Sequence, residues 1–319
     1  MPIIVYRSTD PGAPALNGTA GSLVNVLDAI LVNGYGAKAN AGWGIANTGT
    51  NKRVYRSNGG STRYFYRVQD DGPGTGNTRE ARIYGSEGTT NIDTQTNKFP
   101  ASQFIVRKSM TTDTANNQWI AVADNRTLYF FNTVRDFPGW TAFMFGEYYS
   151  LKPTTDANNA IIMGRTTEQT SVSTTYPSPA GEGLATLSAV NATVAGTAMP
   201  RTYNEFFGPV TPGKHGNPAH SAATLVGLSI YPNFSANIHL TPISITENAA
   251  YPVLRGRMRG LYHILHPASA NLQSNVSWTG TSTWLGVGSM SGKTFMSISP
   301  TADGTGIYVI ETSDTWETN

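Results

Sequence analysis

"WIAVADNRTLYFFNT", residues 119–133, decides how the rest of the chain is read. Two runs rich in aromatic and β-branched residues flank Asp124, Asn125 and Arg126, which are turn-forming or polar. That pattern predicts an antiparallel hairpin turning at 124–126. Similar runs lie on both sides of it. "RYFYRV" (63–68) alternates Tyr64, Tyr66 and Val68 against Arg63, Phe65 and Arg67, and "EARIYG" (80–85) follows a Gly-rich loop. "WTAFMFGEYYSL" (140–151) and "NAIIMGR" (159–165) complete a set of about six to eight strands. Near the end, "GKTFMSIS" (292–299) and "GIYVIETS" (306–313), joined by "PTADGT", form a second hairpin pattern. The expected fold class is mainly β, with antiparallel sheets in a sandwich-like arrangement. No internal repeat is found, which disfavours a propeller or a solenoid.

One segment breaks the strand period. In "SLVNVLDAILVNGYG" (22–36), Leu23, Val26, Leu27, Ile30 and Leu31 recur at i, i+3, i+4, i+7 and i+8. This is one face of an α-helix, with Ser22 as the N-cap and Gly34 or Gly36 as the stop. The stripe must be buried, and the partners available are sheets. A second, weaker helix is expected near "FPASQFIVRKS" (99–109). Residues 1–20 read as an arm broken by Pro2, Pro11 and Pro14, with "IIVY" able to form a short strand. Residues 166–183, "TTEQTSVSTTYPSPAGEG", are rich in Pro, Ser and Thr and read as a linker or one long loop. The expected organisation is therefore an arm (1–20), a helix-plus-β domain (21–165), the linker (166–183) and a second β-rich domain (184–319).

The chain has 319 residues, a net charge of +2 and 13% charged residues, about half the usual share. Such a surface attracts nucleic acid or acidic lipid weakly, so a nucleic-acid partner is not expected. The absence of cysteine excludes disulfides and thiolate metal sites. "MPIIVYRSTD" has no basic n-region or long apolar run, so no signal peptide is expected. No stretch reaches the roughly 20 apolar residues of a membrane helix.

Catalytic and metal-binding patterns are thin. Gly72, Gly74 and Gly76 in "DDGPGTGN" lie between strands, whereas a phosphate-binding loop leads into a helix. Asp70 and Asp71 match no EF-hand. His215 and His220 share a loop with Pro218, and His263 and His266 would face opposite sides of a strand. No Gly-x-Ser-x-Gly elbow occurs. Glu147 and Asp136 are the kind of carboxylates that could pair across a cleft, but their spacing does not aim them. No metal, cofactor or enzymatic activity is expected.

The most unusual pattern is "VLRGRMRGLYH" (253–263). On a regular strand Arg255, Arg257 and Arg259 would share one face, opposite Leu254, Met258 and Tyr262. Three cations in a row repel unless something negative meets them. The two readings are an acidic partner surface and a solvated sheet face. Ile3, Ile4, Val5 and Tyr6 of the arm are the other candidates for an assembly contact, since a free strand can add to a neighbour's sheet.

Several segments together resemble a family of tailed-bacteriophage virion proteins: the run 6–36, "KRVYRS", "RVQDDG", "FGEYYSLKP", "GKHGNP", "RGRMRGLYH" and the closing "GKTFMSIS…GIYVIETSDTW". The resemblance runs along most of the chain, and its motifs are structural. It implies a virion structural protein, assembled in the host bacterial cytoplasm, multi-copy in the tail or decorating the capsid. Its partners would be further copies and other virion proteins. The alternative is a carbohydrate- or receptor-binding adhesin module that meets a host surface glycan through exposed Trp43, Trp119, Trp140, Trp278 or Trp284.

Overall fold

The computed structural model describes residues 1–59, 64–72, 78–134, 140–153, 156–166, 195–210, 212–215, 239–247, 253–265, 284–286, 288–298 and 308–317. Strand β1 (Ile4–Arg7) precedes helix α1 (Ser22–Asp28), which one π-helical turn (Ala29–Asn33) extends. Then come β2 (Gly44–Gly49), β3 (Lys52–Arg56), β4 (Phe65–Gln69), β5 (Glu80–Asn91), β6 (Thr94–Arg107), β7 (Trp119–Ala123), β8 (Thr127–Thr133) and β9 (Trp140–Glu147). They are followed by β10 (Tyr149–Ser150), β11 (Ala160–Arg165), β12 (Ala195–Arg201), β13 (Phe207–Val210), β14 (Pro212–His215) and β15 (His239–Glu247). The last are β16 (Leu254–Leu265), β17 (Trp284–Leu285), β18 (Thr294–Ile298) and β19 (Tyr308–Glu311).

These strands make two antiparallel sheets. A 12-stranded sheet runs β1-β7-β8-β9-β11-β6-β5-β4-β3-β2, with β12 and β13 branching from β11. A seven-stranded sheet runs β14-β15-β16-β19-β18-β17, with β10 also on β16. The expected hairpin is β7–β8, registered Ala123 to Leu128. Its turn is fixed by the Asp124 carboxylate, which accepts the backbone N–H groups of Arg126 (2.9 Å) and Thr127 (2.8 Å). The terminal hairpin is β18–β19.

The central strands are apolar on both faces, and the packing explains why. Ala121, Leu128, Phe130, Phe143, Phe145 and Ile162 point into one core with the helix. Their neighbours Val122, Tyr129, Phe131, Met144, Ile161 and Met163 point into a second core, shared with Ile243, Ile245, Met258, Leu261, Met296, Ile310 and Trp316. The order is therefore helix, large sheet, second sheet. Strands covered on both sides read as unbroken apolar runs, not as alternation.

The helix stripe is where the periodicity places it: Leu23, Leu27, Ile30 and Leu31 have no exposed surface. The cap differs from expectation. Gly21, at φ +82°, holds the N-cap position, and Ser22 is the first helical residue. The open N–H groups of Leu23 (2.8 Å) and Val24 (3.4 Å) bond instead to the carboxylate of Asp70, 47 and 46 residues away. That carboxylate is paired with the Lys108 ammonium, and both side chains are fully buried.

Three expectations change. The second helix at 99–109 is the strand β6, because Phe104 and Val106 alternate into the helix-side core. The arm is a strand of its own sheet: β1 pairs with β7 from Ile4–Ala123 to Arg7–Ile120. Finally, residues on both sides of 166–183 build one core. β12 extends the large sheet, β10 joins the second sheet, and the second hydrophobic core draws on Ile3 and Ile310 alike. Beyond Thr166, that linker lies outside the described residues.

Candidate assembly surface

Strand β1 has little left to offer a neighbour. Ile4 and Tyr6 pack towards the helix-side core, while Ile3 and Val5 pack towards the inter-sheet core. The outer backbone edge of the strand is occupied by its own chain. Lys38 Nζ donates to the Val5 carbonyl at 2.9 Å, and the Arg7 N–H donates to Asp10 Oδ2 (2.8 Å) and to the Tyr35 hydroxyl (3.2 Å). The Ile3 N–H donates to the Asp314 carbonyl at 2.8 Å, tying the two ends of the chain together. A lysine over an edge carbonyl blocks strand addition. Ile3, Ile4, Val5 and Tyr6 are therefore not a free strand: buried Ile3 and Tyr6, with these edge bonds, order the arm from within.

The three arginines do not form one cationic row. Six residues of β16, from Arg257 to Tyr262, face three of β15, from Ser244 to Pro242. Gly260 sits in this bulge at φ +64°, where Trp316 packs so close that a Cβ would overlap its indole. The irregularity lets Met258 and Leu261, three apart, enter the same core. Each guanidinium then finds its own carboxylate. Arg255, 1% exposed, pairs with Glu247 (2.7 Å) and Asp156 (3.6 Å). Arg259, 2% exposed, grips Asp124 with both terminal nitrogens and also reaches Thr127 Oγ1 at 2.7 Å. Arg257 is half-buried, pairs with Glu317 (2.6 Å) and lies over the Tyr149 ring. The negative partners expected across an intermolecular contact are supplied within the chain.

Among the described residues the exposed large apolar side chains are Met1, Ile45, Leu151, Phe206, Val253, Leu254 and Leu285, and four of these lie on segments that converge on Arg255. The Leu151 N–H donates to the Arg255 carbonyl, and the Glu247 N–H donates to the Val253 carbonyl. Arg255 itself donates to the Arg201 carbonyl at 2.9 Å, just before the turn in which the Thr202 N–H donates to the Phe206 carbonyl. From these segments Phe206 (72% exposed), Leu254 (49%), Leu151 (46%) and Val253 (37%) meet solvent. Lys152 and Glu205 pair at 2.6 Å in the same region. Nothing in the residue spacing marks this seam, because its parts are far apart in sequence.

The other sequence candidates resolve as follows. Asp70 holds the helix and Lys108, and Glu147 is buried against Arg126 at 3.2 Å. Asp136, His220, His266 and most of the Gly-rich loop lie outside the described residues, as do the side chains of His215 and His263. Trp43 and Trp119 are buried, which removes them from any exposed platform; the side chains of Trp140, Trp278 and Trp284 lie outside the described residues. Among the described residues, no group of three His, Asp or Glu is placed to hold a metal ion. No protein-family model matches the chain, and no curated protein matches it.

Proposed function

We propose that this protein is a structural component of a tailed-bacteriophage particle, multi-copy in the tail or decorating the capsid, acting through protein–protein contacts. One observation carries the reading: Leu151, Phe206, Val253 and Leu254 stand exposed on segments that meet at Arg255, the junction of the two sheets. Single exposed apolar side chains are ordinary, but several together on a polar-rimmed surface mark a contact. Four side chains are fewer than a stable interface of roughly 1,200–2,000 Å² requires, so they would be anchors within a wider surface. The sequence resemblance supplies the context, and the buried ion pairs beneath the seam supply a rigid base for it. The test is quantitative peptide analysis of purified phage particles from cells that make this protein. Several copies per particle are expected; a protein left wholly in the lysate overturns the proposal.

A further inference from the structure

Lys108, just after β6, and Asp70, just after β4, are an acid and an amine sealed away from water. The amine touches Asp70 Oδ1 and donates to the Thr19 carbonyl (2.7 Å) and to Ser22 Oγ (3.2 Å). Ser22 in turn donates to the Asn17 carbonyl at 2.7 Å. The two carboxylate oxygens are treated differently. Oδ2 accepts the Leu23 and Val24 N–H groups, whereas Oδ1 has no hydrogen bond of this kind, only the adjacent amine.

The geometry points to an autocatalytic amide bond between the Lys108 side chain and the Asp70 side chain, formed within the folded chain with loss of water. It does not depend on the assembly reading. Burial penalises two separate charges and shifts the pair towards an amine beside a carboxylic acid, the form from which the reaction starts. Both groups shift that way: burial pushes Asp70 up to about 6 and pushes Lys108 down, each against the pull of the other. The Nζ lone pair then attacks Asp70 Cγ, so a C–N bond forms and the carbonyl electrons move onto Oδ2. The Leu23 and Val24 N–H groups already point at that oxygen and would hold its negative charge. On collapse the carbonyl re-forms and the C–Oδ1 bond breaks. Oδ1 departs as water, carrying the proton received from the ammonium and one more from the attacking nitrogen. No oxidant or further reactant is needed, and the fixed contact replaces a bimolecular encounter. The product would staple the ends of β4 and β6 in a chain without cysteine.

Intact-mass measurement of the purified full chain, kept folded at neutral pH, tests this. The expected mass falls short of the sequence mass by one water. Trypsin should then leave residues 68–79 joined to residues 108–126, with no cleavage after Lys108. Lys108→Arg, which keeps a cation but lacks the primary amine, should show its full sequence mass. The full mass in the folded wild-type chain after prolonged incubation overturns the proposal. So does a loss of water that maps to another site, such as a cyclised Asp71–Gly72, without joined peptides.

Discussion

Arg259 and Asp124 meet through two parallel hydrogen bonds, Nη1 to Oδ1 at 3.1 Å and Nη2 to Oδ2 at 2.6 Å, with almost no exposed surface on either residue. The same carboxylate ties the β7–β8 turn, and Arg259 Nε donates to the Glu317 carbonyl at 2.8 Å. The pair thus joins the large sheet, the second sheet and the C-terminal segment. Removing one partner leaves the other charge buried, at a cost of roughly 3–5 kcal/mol. Arg259→Ala should lower the unfolding free energy in urea by that amount, and a loss under about 1 kcal/mol would contradict the assignment. Three arginines two apart were visible in the sequence, but their partners were not. Asp124 lies 135 residues from Arg259, and local spacing carries no trace of such a pairing. The bulge around Gly260 also breaks the alternation from which a single face was inferred.

At the scale of elements, periodicity was informative where one element buries one face. Leu23, Leu27, Ile30 and Leu31 were readable because a helix repeats every 3.6 residues whatever covers it. Leu27→Asp would place an unpaired charge in the helix-side core. It should cost roughly 3–5 kcal/mol or prevent folding, as measured by circular dichroism and thermal unfolding. An unchanged melting temperature would contradict the packing described. Strand β6 is ambiguous in sequence because a short apolar run such as "QFIV" fits both periods, and only its pairing with β5 decides between them. The arm is ambiguous for a related reason: Pro2, Pro11 and Pro14 mark the breaks, but not that "IIVY" between them reaches β7. Deleting residues 2–14 removes Ile3 and Tyr6 from the two cores and uncovers the edge of β7. The truncated chain should melt well below the intact protein and aggregate through that edge. If its stability were unchanged, the arm would not belong to the fold.

For the whole molecule, the mainly β class was legible from composition and turn residues, while the layering was not. Unbroken runs such as "AIIM" show that a strand is covered on both faces; they do not name the covers. Here the covers are a helix on one side and, on the other, strands that begin at His239, more than seventy residues later. The seam where the sheets join is also where Leu151, Phe206, Val253 and Leu254 are exposed. Assembly through that seam is the central claim, and sedimentation velocity tests it most directly. The wild-type chain is compared with a Phe206→Ser/Leu254→Ser variant over a range of concentrations. The wild type should self-associate as concentration rises, and the variant should remain monomeric with an unchanged circular dichroism spectrum. A wild-type chain that stays monomeric throughout, or a variant that associates equally well, would contradict it.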